Sequence, residues 1–517
     1  MKFVPFPAIV GPTYTLASLN AECQRCVNLM LEKVESGVGQ SNFYLRETPG
    51  LLPFLDPDDP VVAALPVAAV KQMHVCGNGR VFVIIGNGLY EMFSNGSLTE
   101  IDNNLIGSGT VGINTPARYR MSDNTNVLAI LIDYTSGFSN TSLQTFGLTL
   151  YRFSDGAIQG LSTPIAGFIG TKFISFLDQY FITTCITQGV DPNALTSQFQ
   201  ISPLSATIGS VWSASDVFTA ESTPDNINAI IVNGRELWVF GLHSYEVWFN
   251  SGDAVRPFQR IRDAAYPIGC IAPESVQAFQ GRVFWLGSSE EGYGIVWMSN
   301  GLQAERASTT AIERLIKSFP TIDDAIAWTY QIEGHAIYVL TLPSAGVTYA
   351  YDLFTNQWHE LSYRNPTTGV ATRHRAANQI FAFGKNLVGD FENGMIYELS
   401  TSTYTDDEAP IIRYRRAPVL AKGERTIFYH KLEIVAETGV GLPSGEDPLL
   451  SIRWSNDNGH TWGNYHTRSL GLVGEYKKRI ILNMLGSSRR RVFEVYLDAP
   501  VPLRIISAEL GLSIGVH

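Results

Sequence analysis

The stretch SNDNGHTW, residues 455–462, combines residue types and spacing that could belong to a catalytic protein. It fits the pattern S-x-D-x-G-x-T-W, the Asp-box, which occurs in the propeller blades of sialidases and other glycan-cleaving enzymes. The residues that carry the pattern are Ser455, Asp457, Gly459, Thr461 and Trp462. The same residues suit a turn, because the Asp457 carboxylate can accept backbone N–H bonds and Gly459 can adopt a positive φ. Since the motif occurs once and outside the repeats described below, we interpret it as a rigid hairpin turn.

A sialidase-type active site also needs an arginine cluster, a tyrosine nucleophile with an acidic partner, and a separate acid. Arginines and tyrosines are present, but their spacing singles out no set; the candidates are Arg118, Tyr119, Arg120, Arg256, Arg260, Arg262 and Tyr266. Two carboxylate pairs, Glu290/Glu291 and Asp323/Asp324, would suit glycoside hydrolysis if they converged. Adjacent residues on a strand point to opposite faces of a sheet, so we expect neither pair to form one site.

Other chemistry has little support in the sequence. Cys23 and Cys26 form a C-x-x-C motif, but no second cysteine pair or nearby histidine completes a zinc site. His374 lies between Arg373 and Arg375, which indicates a polar patch rather than a metal ligand. No phosphate-binding Gly-rich loop with a following Lys-Ser/Thr pair occurs. We therefore expect no catalytic residue, no metal and no cofactor.

Two basic triplets lie in the segment GEYKKRIILNMLGSSRRRVFEV, residues 474–495. They consist of Lys477, Lys478, Arg479, Arg489, Arg490 and Arg491. On paired strands the triplets could lie near each other and meet an acidic partner or DNA phosphates, so we name these six residues the docking patch. The alternative is that they are solvated strand ends and a turn, and the sequence leaves both open.

The charge distribution separates a C-terminal segment from the rest of the chain. Residues 410–517 hold 15 Lys and Arg against 10 Asp and Glu, whereas residues 1–409 hold 22 against 38. This asymmetry indicates two modules with different neighbours. Because neutralising phosphates needs clustered Lys and Arg, the acidic N-terminal part is not expected to grip DNA.

Composition and an internal repeat predict an all-β fold. Only 16% of the residues are charged, and the abundant Gly, Asn, Ser and Thr suit short strands joined by turns. Seven stretches share an apolar strand, a turn and a second strand; they start at Gly79, Thr125, Asp178, Gly234, Gly281, Gly334 and Gly384. This spacing of roughly 50 residues predicts a β-propeller, because small sheets stacked around a ring bury faces that none can bury alone. Seven blades are predicted, with six or a row of separate sandwiches as alternatives.

The segments outside the repeat complete the domain organisation. The predicted units are an N-terminal extended arm or clasp at 1–65, the propeller at 66–400, a linker at 401–418 and a C-terminal β-sandwich-like domain at 419–517. One helix is expected at 308–319, where four apolar residues share a face. The longest apolar run, residues 61–70, is half as long as a membrane helix requires, so no contact with a membrane is expected.

Beyond its repeat, the sequence resembles the packaged-DNA stabilisation proteins, or tail accessory factors, of short-tailed bacteriophages. The resemblance covers most of the chain and consists of several stretches in a fixed order. They are residues 22–51, which start with ECQRCVNLMLEK, residues 266–287, which read YPIGCIAPESVQAFQGRVFWLG, and residues 325–360, 373–399 and 450–495, which start with AIAWTYQIEGHAIYVLTL, RHRAANQIFAFGKNLVGDF and LSIRWSNDNGHTWGNYHTR. None is a catalytic motif, so the specificity lies in their number and order.

The resemblance implies a non-enzymatic structural protein of the phage tail, present in the virion and assembled in the host cytoplasm. Six copies would form a ring, a tail hub below the portal and its adaptor, that closes the DNA-filled head. The ring would enclose double-stranded DNA without sequence-specific binding and so stabilise the packaged genome. It would also offer attachment surfaces to the tail needle or plug and to tailspikes or tail fibres. The alternatives are a glycan-binding or glycan-cleaving propeller protein and a host interaction scaffold.

Overall fold

The structure, a computed structural model, describes residues 2–18, 21–34, 41–105, 117–134, 146–160, 165–186, 195–220, 225–289, 292–442 and 444–515. Within these ranges the chain forms 46 β-strands, two short α-helices and one short 3-10 helix. The all-β prediction is therefore confirmed. No helix in the described ranges is long and apolar enough to cross a membrane.

The N-terminal segment consists of short strands that pair with distant parts of the chain. They are β1 (Lys2–Pro5), β2 (Tyr14–Thr15), β3 (Cys23–Val27), β4 (Leu29–Lys33), β5 (Phe43–Glu47) and β6 (Gly50–Pro53), with the 3-10 helix at Pro7–Ile9. Helix α1 (Pro60–Ala63) follows. Its start is fixed by Asp59, whose carboxylate accepts the backbone N–H groups of Val61 and Val62, and by Pro60, which needs no such partner.

A series of four-stranded antiparallel sheets, here called blades, makes up the middle of the chain. Blade 1 comprises β7 (Val70–Val75), β8 (Val81–Ile85), β9 (Gly88–Met92) and β10 (Leu98–Asp102). Blade 2 comprises β11 (Ala117–Asp123), β12 (Val127–Tyr134), β13 (Phe146–Arg152) and β14 (Ile158–Gln159). Blade 3 comprises β15 (Gly170–Leu177), β16 (Tyr180–Ile186), β17 (Leu195–Ile201) and β18 (Val217–Thr219).

Four more blades follow in the described part of the chain. Blade 4 comprises β19 (Ile227–Asn233), β20 (Glu236–Gly241), β21 (Tyr245–Asn250) and β22 (Phe258–Tyr266). Blade 5 comprises β23 (Ile268–Phe279), β24 (Arg282–Ser289), β25 (Gly292–Asn300) and β26 (Gln303–Arg306), and helix α2 (Thr310–Lys317) follows it, as predicted. Blade 6 comprises β27 (Ile326–Ile332), β28 (His335–Leu342), β29 (Val347–Asp352) and β30 (Gln357–Leu361). After a small hairpin, β31 (Tyr363–Arg364) and β32 (Ala371–Thr372), blade 7 comprises β33 (Ala376–Ala382), β34 (Lys385–Asp390), β35 (Ile396–Ser400) and the N-terminal β6.

The blades close into a ring. The first strand of each blade contacts the first strand of the next, and β33 of blade 7 contacts β7 of blade 1. Strand β6 completes blade 7 by pairing with β35, with Leu51 opposite Leu399. Each predicted repeat start lies in or next to the turn between the first and second strands of a blade, as Gly79 does before β8 and Gly384 before β34. Five of these seven residues are Gly at positive φ, where Gly is free of the steric cost that other residues meet.

The second strand of a blade is buried on both faces, and this burial makes the repeat recognisable in the sequence. In β8 all five residues, Val81–Ile85, are buried, because blade 7 covers one face of blade 1 and blade 2 covers the other. Burial of each such side chain contributes about 1.5–3 kcal/mol. Strands covered on both faces therefore appear as continuous apolar runs rather than alternating ones.

The C-terminal strands form a two-layered sandwich together with the N-terminal strands. They are β36 (Thr405–Asp406), β37 (Ala409–Pro410), β38 (Arg413–Arg416), β39 (Leu420–Ala421), β40 (Ile427–Ala436), β41 (Leu449–Ser455), β42 (His466–Ser469), β43 (Ile480–Asn483), β44 (Ser487–Ser488), β45 (Arg490–Leu497) and β46 (Ile505–Ile514). One layer has the order β4-β5-β46-β40-β43, with β1 beside β46. The other has the order β3-β38-β45-β41-β42, and the core between the layers includes Leu45, Leu432, Ile452 and Phe493.

The propeller and the sandwich share a continuous sheet. Strand β3 pairs in parallel with β30 of blade 6, at Val27 and Glu360, and antiparallel with β38 of the sandwich. Strands β1 to β6, which lie in the segment predicted to be an arm, thus belong to both domains. Residues 401–418, which the sequence describes as a linker, form β36, β37 and β38, and the side chains of Arg413 and Arg415 there are fully buried. The segment is packed rather than exposed.

Arg415 joins these parts through its side chain. Its guanidinium donates hydrogen bonds to the carbonyl oxygens of Ala8 (3.0 Å), Ile9 (2.7 Å) and Pro12 (2.9 Å) and to Oε1 of Gln24 (2.6 Å). A buried charge is tolerated when hydrogen bonds satisfy its donors. Arg415 therefore fixes the N-terminal segment onto the sandwich.

Candidate functional site

The Asp-box forms the turn between β41 and β42 of the sandwich. The Asp457 carboxylate accepts the backbone N–H of Thr461 (2.8 Å), the Thr461 hydroxyl (2.5 Å) and the Ser455 hydroxyl (2.6 Å). The Ser455 hydroxyl oxygen in turn accepts the N–H of Gly459 at 2.8 Å. These bonds to the ionised form hold the pKa of Asp457 well below its usual range. The carboxylate therefore serves as a hydrogen-bond acceptor within the turn.

Trp462 is held in the same way. Its indole N–H donates to the Gly459 carbonyl at 3.1 Å, and the guanidinium carbons of Arg416 and Arg453 lie 4.8 and 4.9 Å from its ring centre. Gly459 has φ 92°, and a Cβ there would lie 3.4 Å from the Trp462 ring. The contacts within the turn therefore account for the residues of the Asp-box pattern, and no bound substrate is needed to explain them.

The sialidase-type candidates fall into two separate groups. Arg118, Tyr119 and Arg120 lie on β11, the innermost strand of blade 2, whereas the others lie on or just before β22, the outermost strand of blade 4. In the second group the side chain of Arg262 is 97% exposed, and the ring of Tyr266 stacks on Tyr245 with centres 4.9 Å apart. The two groups do not form one site.

The first group lines the propeller's axial channel. A cavity of about 460 Å³ lies there, bordered by the first strands of all seven blades. Arg118 binds Glu274 of blade 5 at 3.0 Å, and Arg120 also pairs with Glu274 while its guanidinium lies 3.9 Å from the centre of the Phe173 ring. This ion cluster links two blades that are not neighbours in the ring.

Burial and charge act against each other in the channel. Burial raises the pKa of Glu274, but Arg120 and Arg118 outweigh it, so the pKa lies below its ordinary value and the group is ionised. Burial lowers the pKa of Lys71, which also lines the cavity, to about 8. Sequence reasoning did not single out Glu274. The available signal was Pro273, because a proline inside a strand marks a bulge, and the pairing of β23 with β24 is irregular there.

The docking patch is not one surface. Arg491 is buried, donates to Asn456 Oδ1 (2.9 Å) and the Leu485 carbonyl (2.8 Å), and lies over the Tyr429 ring. Burial lowers the pKa of Arg491 to about 10, still well above neutral pH. The interpretation of this residue as part of a docking surface is therefore wrong, since it supports the core instead.

The other patch residues remain accessible to different extents. Arg479 pairs with Glu433 at 2.7 Å, Arg490 with Glu424 at 2.7 Å, and Lys478 with Glu475 at 3.1 Å. Lys477 and Arg489 are exposed, and within the described ranges neither has an acidic partner within 4 Å. These two residues are the free positive charges of the patch.

The remaining candidates have structural surroundings. His374 is buried, which lowers its pKa to about 4 and keeps it neutral, and Arg375 beside it pairs with Asp390 at 2.6 Å. Cys23 and Cys26 are buried free thiols. Of the Asp323/Asp324 pair, Asp324 accepts the Ser344 N–H at 2.8 Å, while Glu290 and Glu291 lie outside the described residues.

Comparison with solved structures shows low similarity. The extracellular domain of a one-component system, BT4673, from B. thetaiotaomicron is 12% identical with a TM-score of 0.41; the match covers 91% of this chain and 61% of that one. Dihydro-heme d1 dehydrogenase NirN is 10% identical with a TM-score of 0.32, covering 92% of this chain and 82% of that one. The chain thus spans about three fifths of the first of these. Similarity at this level says nothing about function.

Comparison with protein families gives a clear result. No curated protein sequence matches the chain. Two family descriptions match in order: bacteriophage P22 Gp10, beta-propeller, over residues 23–404, and bacteriophage P22 Gp10, beta-sandwich, over residues 413–512. Both descriptions agree with the architecture found in the corresponding residues. The chain therefore belongs to the bacteriophage P22 Gp10 family, the tail hub and stabilisation proteins of short-tailed phages, and is a structural protein of the phage virion.

Proposed function

We propose that six copies of this chain form a ring, the tail hub, below the portal and its adaptor. The ring closes the DNA-filled head, stabilises the packaged DNA and carries attachment surfaces for the tail needle or plug and for tailspikes or tail fibres. The observation that carries the proposal is the match of both domains, in order, to one phage tail protein family. Assembly takes place in the host cytoplasm, a reducing compartment that suits five buried free thiols.

The connection between the two domains supports this role. A part that retains compressed DNA must transmit force between its neighbours without bending at a hinge. Here a continuous sheet crosses from blade 6 through β3 into the sandwich, and Arg46 of β5 pairs with Glu333 of the propeller at 2.6 Å. Such a connection makes the two domains one unit.

The charges support a passive relation to DNA. The N-terminal 409 residues carry 22 Lys and Arg against 38 Asp and Glu, so a ring of these units would repel phosphates rather than bind them. The axial channel of a single propeller, about 460 Å³, has the volume of a small-molecule cavity. The passage for DNA would therefore lie on the axis of the ring of six.

The test is to mix the purified chain with portal–adaptor complex and to measure the mass of the product by native mass spectrometry. We expect six added copies per complex, and no product with portal alone. A product with another number of copies, or no product under conditions where the chain is folded, would rule out the proposed ring.

Glycan cleavage is the competing function, and the positions of its candidate residues do not favour it. Turnover of a fluorogenic sialoside by the purified chain provides a direct check, with a sialidase as positive control. We expect the rate with the chain to equal the rate in buffer, and saturable turnover would overturn the structural assignment.

A further inference from the structure

The junction between blades 1 and 2 brings together three side chains with metal-ligand chemistry. His74 is the second-last residue of β7, Cys76 follows in the turn to β8, and Asp123 ends β11. Asp123 is 47 residues from Cys76 in the sequence, and the fold makes them neighbours. Within the described ranges this is the one group of at least three such side chains whose donor atoms converge.

The donor atoms lie close to one another. His74 Nε2 is 2.7 Å from Asp123 Oδ1, and one donor atom from each of the three residues lies within 4.8 Å of the other two. The second Asp123 oxygen accepts the backbone N–H of Gly77 at 2.8 Å. This bond fixes the carboxylate from outside, in the way that bonds to the distal atoms of metal ligands usually do.

The spacing is near that of a tetrahedral site. With bonds of about 2.0–2.3 Å to nitrogen, oxygen and sulfur, the ligand atoms of zinc lie roughly 3.3–3.7 Å apart. The atoms of His74 and Asp123, now 2.7 Å apart, would have to separate slightly, and the Cys76 sulfur, within 4.8 Å of both, would have to approach them.

One side of the cluster is open. The side chains of His74 and Asp123 are 24% and 15% exposed, whereas Cys76 is buried against the core between the two blades. An ion could therefore enter from solvent and keep a water molecule as its fourth ligand. A donor set of one nitrogen, one sulfur and one oxygen suits zinc, since a hard ion such as Mg²⁺ prefers oxygen alone.

We propose that His74, Cys76 and Asp123 form a binding site for a divalent transition metal ion, with zinc as the best match, that joins blade 1 to blade 2. On binding, the Cys76 thiol loses its proton to solvent, and Nε2 of neutral His74 and the Asp123 carboxylate donate electron pairs to the ion. No oxidant or reductant is required. Metal–ligand bonds from both blades then replace the hydrogen bond between His74 and Asp123. The inference does not depend on the proposed ring.

The test uses the full-length chain, purified with a chelator that is then removed. Zinc chloride is titrated by calorimetry, and cobalt(II) is titrated while the thiolate-to-metal charge-transfer absorption is recorded. We expect one ion per chain, the charge-transfer band, and a rise in the melting temperature of the wild type on adding zinc. Cys76→Ser should abolish the band, and Cys76→Ser and His74→Ala should each weaken zinc binding by at least about tenfold.

Cys185→Ser is the matched control, because Cys185 is also a buried free thiol in a blade but belongs to no such cluster within the described ranges. It should bind zinc like the wild type. Circular dichroism of each variant establishes that the fold is retained. The proposal is wrong if the wild type binds no stoichiometric zinc, if Cys76→Ser binds as tightly as the wild type, or if Cys185→Ser loses binding equally.

Discussion

At the scale of single residues, a buried histidine connects the two domains. His335 of blade 6 is 1% exposed, with Nδ1 2.9 Å from Asp352 Oδ2 and Nε2 3.0 Å from Glu32 Oε2. Asp352 belongs to the same blade, whereas Glu32 is on β4 of the sandwich. Burial disfavours the charged imidazole, but the hydrogen bonds and charges of the two carboxylates outweigh it, so the pKa of His335 is raised.

This raised pKa predicts how stability depends on pH. A group whose pKa is higher in the folded state stabilises that state below its unfolded pKa, about 6.5 for histidine, and the contribution is lost as pH rises through the folded value. Above about pH 6.5 the slope of the free energy of unfolding against pH should therefore be more negative for the wild type than for His335→Gln. Urea denaturation at several pH values measures both slopes. His359 and His374, whose pKa values burial lowers to about 4, add a slope of opposite sign below about pH 7, but both are present in both proteins, so the difference between the two slopes reports on His335. Parallel slopes would refute the assignment.

The Asp-box gives a second prediction for a single residue. Asp457→Ala removes the acceptor for the Thr461 N–H and hydroxyl and for the Ser455 hydroxyl. We expect the free energy of unfolding to fall by about 1–3 kcal/mol, measured by urea denaturation. Asp58→Ala is the control, because Asp58 is exposed and its carboxylate accepts no hydrogen bond within the described ranges. An equal change in the free energy of unfolding for both substitutions would show that the hydrogen bonds of Asp457 do not stabilise the fold.

The sequence predicts the contacts of a single residue when its partners are close in the chain, but not when they are distant. The role of Asp457 in its turn could be predicted, because its partners lie within four residues of it. The partners of Glu274 and Arg415 could not, since Arg118 is 156 residues from Glu274 and Ala8 is 407 residues from Arg415. Nothing in the local sequence encodes such contacts.

At the scale of strands and helices, the repeat could be predicted because each blade buries its second strand on both faces. The placement of the N-terminal strands could not. Strand β1 pairs with β46 at the opposite end of the chain, with Lys2 opposite Leu512. The residue pattern of neither strand indicates which strand it pairs with. The sequence predicts an extended arm here, whereas its strands complete the sandwich and blade 7.

The third prediction concerns the attachment of this N-terminal segment. Arg415→Met keeps much of the side-chain volume but leaves the carbonyl groups of Ala8, Ile9 and Pro12 without their buried donor. Leaving such groups unsatisfied costs about 1–3 kcal/mol each. We expect the segment to detach and chymotrypsin to cleave near Phe3, Phe6 and Tyr14 at least tenfold faster, as followed by mass spectrometry.

Arg425→Met serves as the control for this experiment, because Arg425 is exposed and its side chain has no partner within the described ranges. It should be cleaved at the wild-type rate. If Arg415→Met resists the protease as the wild type does while remaining folded by circular dichroism, then the strand pairing of β1 and β3 holds the segment without the guanidinium.

At the scale of the whole molecule, charge separates the two domains and suggests how they are oriented in the virion. The propeller part is acidic, whereas the segment from residue 410 onward has an excess of five positive charges. In the proposed assembly the basic domain is therefore the part of the chain expected to bind an acidic neighbour. Of the docking patch, Lys477 and Arg489 remain for this contact, because Arg491 is buried and the others pair within the chain.

The last prediction follows from these two free charges. Lys477→Glu with Arg489→Glu should weaken binding of the chain to portal–adaptor complex, with a larger loss at 50 mM than at 500 mM salt, since exposed charges are screened by ions. Surface plasmon resonance at both salt concentrations measures the effect. Lys422→Glu with Arg425→Glu, equal in charge change and exposed in the same domain, is the control and should bind nearly as the wild type does. Equal losses in both double variants would indicate that overall charge, not this surface, governs attachment, and unchanged binding in both would assign docking to another face of the molecule.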